Sequence, residues 1–318
     1  MLRSVKDSRA SIASARPRSL ILYVYGGFVR RLGGWLAVAD LLTLMRDLGV
    51  DAAVVRAAVT RMKQGGLLIN SSRAAQAGYA LSPQAWQILD EGDRRILAAR
   101  EPADLSTGWV LVVFSIPESE RARRHLIRSR LTWLGFGSVT PGVWIAPRKM
   151  FPEVESLLTN LDLDDYVELF EVQYRGLEAS RKLVRKCWDL KRLRSLYVGF
   201  IERWDPVLAR WSRPGKRTGQ EAFIDYVAAI SDWRKLPYLD PGLPSGVLPD
   251  TWEGQHATRV YFSLLSRIDQ PAFDHVRAIA SGPRGGRKGS DVAAATRRVA
   301  RLEPHRRRSR RTESLISA

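Results

Sequence analysis

Arg56, Thr60, Lys63 and Gln64 are spaced so that, at about 100° per residue, they share one arc of a helix over residues 52–64. A row of this kind can recognise a polyanion. Cations bind phosphate oxygens, while the forked arginine and the glutamine amide can read base edges. Ala52 and Ala53 keep the leading end of that face slim, so it can approach a groove closely. Arg61 falls at the edge of the arc, which suits a phosphate better than a base. Val54, Val55, Ala58, Val59 and Met62 share the opposite arc and are expected to face a core.

Such a face has to be held by other elements. Residues 17–34 open on Pro17, carry Leu20, Ile21, Val24, Phe28 and Val29 at helical spacing, and stop at Gly33-Gly34. Residues 36–48 repeat the pattern, and Gly49 ends them. Asp51 is a suitable N-cap for the third helix, and Gly65-Gly66 terminate it. Two short strand-like runs, LLINS and GYALS, flank the polar segment Ser71–Ala77, and a longer helix starts at Ser82-Pro83. Three helices, a two-stranded wing and a following helix describe a winged helix-turn-helix over residues 17–99, with Arg73 the one cation of the wing tip.

The period then changes. WVLVVFSIP (109–117) is a continuous apolar run, hence a buried strand. Helical patterns over 119–134 and 151–161, a hairpin from GFGSV to GVWIAP, and a strand over 165–173 complete a β-α-β-β-α-β order. That order predicts a ferredoxin-like domain over 107–175. Residues 178–281 read as helical: 178–211 with an interruption near Asp205-Pro206, then 219–234 and 254–269, with a Pro/Gly segment from Leu236 to Pro249. Arg181, Lys182, Arg185, Lys186, Lys191 and Arg192 crowd the first of these helices beside abundant aromatics. This cluster is the candidate seat of an anionic ligand carrying a ring. The fold class expected is therefore α+β, with residues 1–16 and 282–318 as basic, disordered arms.

Charge and composition narrow the function. The 318 residues carry a net charge of +18. Residues 1–100 hold 15 basic and 7 acidic side chains and residues 282–318 hold 11 and 3, whereas residues 201–281 are balanced at 10 and 10. Basic ends on a neutral body fit a module that binds nucleic acid. No apolar run reaches the roughly 18 residues of a membrane span, and the N-terminus lacks a secretory apolar core, so a cytoplasmic protein is expected. Cys187 is the single cysteine and the four histidines are scattered, which excludes a cysteine metal site and HExxH chemistry. A metal-dependent nuclease would need carboxylates at the end of the first central strand, which instead reads Phe114-Ser115-Ile116-Pro117. Glu118 and Glu120 read as first-turn helix acids. The sequence thus predicts neither an enzyme, a cofactor nor a metal. A constitutive architectural DNA binder driven by its basic arms is the alternative.

Several segments resemble the PaaX family of bacterial transcriptional repressors. They are RSLIL, GGFVRRLGGWLAVADLLTLMRDLGVDAAVVRAAVTRMKQGGLL, GYALSP, WLGFGSVTPGVWIAP and LPYLDPGLPSGVLPDTW, spread from about Pro17 to Ile268. The resemblance implies a winged helix, a Cas2-like central domain and a helical C-terminal domain. It also implies a homodimer on double-stranded operator DNA, on the nucleoid of a bacterial cytoplasm. The operator would belong to a phenylacetate-type catabolic operon, and an aryl-CoA thioester, typically phenylacetyl-CoA, would release the protein. Arg56, Thr60 and Arg61 lie in VRAAVTRM, which is similar to the family's VRTALSRL. The family wing is commonly arginine-rich, whereas here it reads SSRAAQAG, and the basic tail after residue 282 is an addition.

Overall fold

A computed structural model describes residues 2–98, 101–175, 177–240 and 242–281. The basic tail from residue 282 lies outside the described residues.

Helix α1 (Leu2–Ser14) precedes α2 (Pro17–Gly27), which starts on Pro17 at its first turn and buries Leu20, Ile21 and Val24. Gly33 and Gly34, at φ 88° and 75°, turn the chain into β1 (Trp35–Ala37). Helix α3 (Val38–Asp47) ends at Gly49, in the left-handed region, and α4 (Ala52–Gln64) follows. Asp51 occupies the N-cap position of α4 in extended conformation, but its side chain makes no capping bond. Strands β2 (Leu68–Arg73) and β3 (Gln76–Leu81) form an antiparallel hairpin where the sequence predicts the wing, and α5 (Pro83–Ala98) leaves it. The wing sheet has three strands in the order β1-β3-β2, one more than the sequence predicts. Trp35–Ala37 pair antiparallel with Gly78–Ala80, and three residues are too few to display an alternating pattern.

The wing turn is strained. Arg73 pairs with Gln76 across a two-residue connection, and Ala74 and Ala75 both take left-handed backbone, φ 47° and 61°. That conformation suits Asn-Gly and costs an L-residue with a Cβ about 1–2 kcal/mol. Changing Ala74-Ala75 to Asn-Gly is expected to raise the denaturation midpoint, with a gain of about 1 kcal/mol in an unfolding titration.

The second sheet consists of β4 (Trp109–Phe114), β5 (Gly137–Thr140), β6 (Val143–Pro147) and β7 (Val167–Val172), in the antiparallel order β5-β6-β4-β7. Helices α6 (Arg121–Trp133) and α7 (Phe151–Leu161) connect the strands. The unbroken apolar run of β4 has a two-sided cause. Val110, Val112 and Phe114 join the core with Ile127, Leu131, Val154 and Leu158 of the two helices. Trp109 packs on the other face, with Leu183, Val184, Trp188 and Leu248.

Helices α8 (Leu177–Cys187), α9 (Leu190–Ser212), α10 (Gly219–Trp233), α11 (Leu236–Leu239) and α12 (Gly254–Ala280) complete the described chain. The break expected at Asp205-Pro206 lies instead at Trp188-Asp189, where the Asp189 side chain accepts from the Arg192 backbone N–H at 3.0 Å and caps α9. Pro206 stays inside α9, flanked by the buried Trp204 and Val207, and Pro271 likewise sits inside α12, which runs to Ala280 rather than ending at 269. Burial of these helix faces outweighs the hydrogen bond each proline removes.

The helices around the wing do not have a core of their own. Leu20, Ile21, Phe28, Leu44 and Met62 belong to one apolar cluster with Trp204, Phe223, Trp233, Tyr261 and Val276. The Phe28 ring lies 4.6 Å from Tyr226 and 5.5 Å from Phe223. The N-terminal arm is corrected too: residues 2–14 are helical, not disordered. Ile12 is buried, Ser8 Oγ donates to Asp225 at 2.7 Å and Ser11 Oγ donates to Asp232 at 2.8 Å, so short polar side chains dock α1 on aspartates of α10.

Candidate nucleic-acid interface and ligand cavity

On α4, Val55, Ala58, Val59 and Met62 are buried, while Arg56, Thr60, Arg61 and Gln64 are exposed, as the periodicity predicts. Val54 differs: assigned to the core arc, it is 41% exposed, because it sits at the rim of an arc already filled by Val55 and Ala58. It adds an apolar side chain near the slim leading end formed by Ala52 and Ala53. Lys63 is half-buried; its Nζ donates to Asn70 Oδ1 at 3.3 Å and lies over the Tyr79 ring. The wing thus fixes the position of the last cation of the row. Thr60 Oγ1 donates to the Arg56 carbonyl at 3.0 Å, so outward it offers an acceptor oxygen and a methyl group. Among the described residues, Arg56, Arg61 and Lys63 make no ion pair within the chain. Arg73 is exposed, but its guanidinium lies back over Trp35 and within 3.4 Å of the Gly33 carbonyl.

The predicted ligand cluster divides. Arg181 lines a cavity of about 560 Å³ between α8, α9, the 240–252 segment and the start of α12, and its Nε donates to the Gly246 carbonyl at 2.8 Å. Lys182, Arg185, Lys186 and Arg192 are exposed and do not line this cavity: α8 turns the first three away from the face that packs on the sheet through Leu183 and Val184, and Arg192 lies beyond the break at Trp188-Asp189, in the first turn of α9. Sequence reasoning missed the other walls: Tyr197, Asp240, Trp252 and Arg259. The motif DPGLPSGVLPDTW contains two of them, but a Pro/Gly-rich stretch displays no periodicity from which a wall could be read.

Asp240 is the half-buried acid of the cavity wall. Tyr197 Oη donates to its Oδ2 at 2.8 Å, and the backbone N–H groups of Gly242 and Leu243 donate to its Oδ1 at 2.8 and 3.3 Å. Burial pushes its carboxyl above the usual range, against those donors and nearby Lys149. Burial and the Asp240 charge together push the Tyr197 hydroxyl well above its ordinary value. The Trp252 ring meets Tyr197 edge-on at 5.8 Å. Two guanidiniums, two aromatic rings and glycine backbone can receive an anionic molecule that also carries an apolar or ring portion.

Among the described residues no His/Cys/Asp/Glu group could hold a metal ion. The acids after β4 are engaged locally: Glu118 with Arg124 at 2.8 Å, and Glu120 with Arg123 and the Tyr166 hydroxyl. No helix among the described residues is long and apolar enough to cross a membrane.

Three family models match the chain. Residues 16–85 match PaaX-like protein, residues 102–184 the PaaX protein central Cas2-like domain, and residues 188–278 the PaaX-like protein C-terminal domain. The chain is 27% identical over 262 residues to Transcriptional repressor PaaX of Escherichia coli (strain K12), covering 81% of this chain and 82% of that protein. A solved structure, uncharacterized protein Rv0674 from Mycobacterium tuberculosis, shares the fold at a TM-score of 0.52 and 24% identity, covering 80% of this chain and 97% of the other.

Proposed function

The chain belongs to the PaaX family of transcriptional regulators, which are not enzymes, and from that premise we propose that it is a DNA-binding repressor of a phenylacetate-type catabolic operon, released by an aryl-CoA thioester. The observation that carries the reading is the exposed row Arg56, Thr60, Arg61 and Gln64 on α4, backed by a buried apolar face and braced by the wing through Lys63 and Asn70. In this reading α2, α3, α4 and the wing form a winged helix-turn-helix over residues 17–99. The β5-β6-β4-β7 sheet with α6 and α7 is the ferredoxin-like form of the Cas2-like unit over 107–175, and residues 178–281 are the effector body. The protein acts as a homodimer in a bacterial cytoplasm. Each α4 occupies a major groove, and the half-sites lie about one helical turn, roughly 34–36 Å, or a multiple apart.

The effector enters the cavity, with its phosphates near Arg181 and Arg259 and its acyl end toward Tyr197 and Trp252. Since the reading helix shares its core with α10 and α12, a change in the body displaces α4 with it. Release follows only if the thioester prefers the arrangement that fits DNA poorly. A mobility shift on the protein's own upstream DNA tests both halves. A sequence-selective complex is expected that phenylacetyl-CoA dissolves, while free phenylacetate and free CoA leave it intact. Equal binding to unrelated DNA, with a steep salt dependence, would favour the architectural alternative. A selective complex indifferent to the thioester would remove the effector assignment and leave the repressor.

A further inference from the structure

Arg95, on the helix that leaves the wing, is a buried cation with no hydrogen-bonded carboxylate among the described residues. It is 8% exposed. Its Nε donates to the Pro237 carbonyl at 3.1 Å, one Nη to the Leu134 carbonyl at 2.8 Å, and the other Nη contacts Met150 Sδ at 3.5 Å. Its guanidinium lies 5.3 Å from the centre of the Tyr238 ring, which stacks on Trp133 at 4.1 Å. One side chain therefore holds α5, the central unit and α11 together. Burying a guanidinium on neutral acceptors is costly, and a polar group kept at such a cost fixes a specific arrangement in some proteins.

The residues it grips run directly into the cavity. Pro237 and Tyr238 belong to α11, and two residues later Asp240 forms the cavity wall, held by Tyr197 and by the turn at Gly242. Lys149 stands between the two sites. Its Nζ donates to the Glu101 carbonyl at 2.9 Å and it feels the charges of both Asp240 and Arg95. Nearby, Glu153 Oε2 is buried without a hydrogen-bond partner, so the cluster holds an unused acceptor that a shifted Arg95 or Lys149 can take up.

We propose that Arg95 is a positioning residue through which the state of the cavity wall, Tyr197–Asp240 and α11, reaches α5 and hence the wing. This rests on the reading of the cavity as the effector site and of α4 with the wing as the DNA-reading end. A contact that two sites bias transmits only as much as its two arrangements differ, and couplings of this kind are modest.

The test uses the full chain and a double-variant cycle read by backbone hydrogen exchange, with no ligand present. Tyr197→Phe removes the hydroxyl donor to Asp240 at the wall. It is expected to speed exchange in segment 236–243 and in α5 by roughly threefold or more. In the Arg95→Met background the same change should still act on segment 236–243 but no longer reach α5. If Tyr197→Phe leaves α5 untouched, or alters it equally with and without Arg95, the proposal is overturned. Where Arg95→Met does not fold, Arg95→Lys, which keeps the charge and loses the fork, takes its place with the same expectation. A second measurement separates binding from release: Arg95→Met should bind phenylacetyl-CoA with wild-type affinity, yet operator affinity should no longer fall when it does. Wild-type protein that binds no phenylacetyl-CoA would refute the effector reading, and the exchange cycle would still decide the role of Arg95.

Discussion

Asp225→Ala is expected to lower folding stability by about 3–5 kcal/mol, the range for removing one partner of a buried ion pair. Asp225 is 2% exposed on α10. Its carboxylate accepts from Arg210, from Trp211 Nε1 at 2.7 Å and from Ser8 Oγ at 2.7 Å. Burial pushes the carboxyl up, and those donors pull it back toward the charged form. Alanine strands the Arg210 guanidinium, whose Nε is already buried without a partner, and takes the carboxylate acceptor away from the Trp211 indole N–H and the Ser8 hydroxyl. It also removes one of the polar contacts that anchor α1, leaving those of Ser11 with Asp232 and Arg203. A melting temperature lower by roughly 6–15 °C is the readout, with faster exchange in α1. Removing both charges, as Asp225→Leu with Arg210→Met, should recover part of the loss, because the penalty lies in the orphaned cation rather than in the absence of a bond. A loss under about 1 kcal/mol for the single variant would mean that the pair is solvated and that α1 docks by other contacts.

Arg56→Ala is expected to weaken operator binding by about 1–3 kcal/mol and to relax preference at one base pair, the signature of a bidentate contact with guanine. Fold stability should hardly change, since Arg56 is exposed and makes no internal ion pair among the described residues. The structure supplies the reason for choosing it over its neighbours. Thr60 donates its hydroxyl proton to the Arg56 carbonyl and Lys63 is drawn toward Asn70, whereas Arg56 is exposed and, unlike Arg61 at the edge of the arc, is the forked cation on the row itself. Titration of a panel of single-base operator variants at several salt concentrations separates the outcomes. Uniform loss across the panel, with the salt slope reduced by about 1, would make Arg56 a phosphate clamp. Arg61→Ala is the control for that uniform pattern.

These two side chains differ in how they announce themselves. Arg56 is legible in the sequence, because a helix spaces its faces regularly and α4 keeps Val55, Ala58, Val59 and Met62 on one of them. Asp225 shows nothing local. Its importance comes from Ser8 and Arg210, and Ser8 lies 217 residues away in the chain. The same division runs through the ligand cavity. A run of cations on α8 is visible as a cluster, but only Arg181 points to the cavity, because Leu183 and Val184 decide which face of that helix the sheet covers.

The sequence by itself determined the period of each main element, the glycine breaks after residues 32, 48 and 64, the succession of strands and helices along the central unit and the outward row of α4. All of these follow from neighbours along the chain, where backbone geometry and side-chain spacing act. Tertiary structure alone decided that α4 shares a core with α10 and α12, that residues 2–14 fold onto two aspartates, that β1 joins the β2–β3 hairpin, and that the helical stretch breaks at Trp188-Asp189 while α9 runs on through Pro206. Each depends on which distant surface covers an apolar or polar face. Burial energy is set by that partner and not by the segment's own pattern, so it can override a local helix breaker and order a segment whose composition reads as a loose arm.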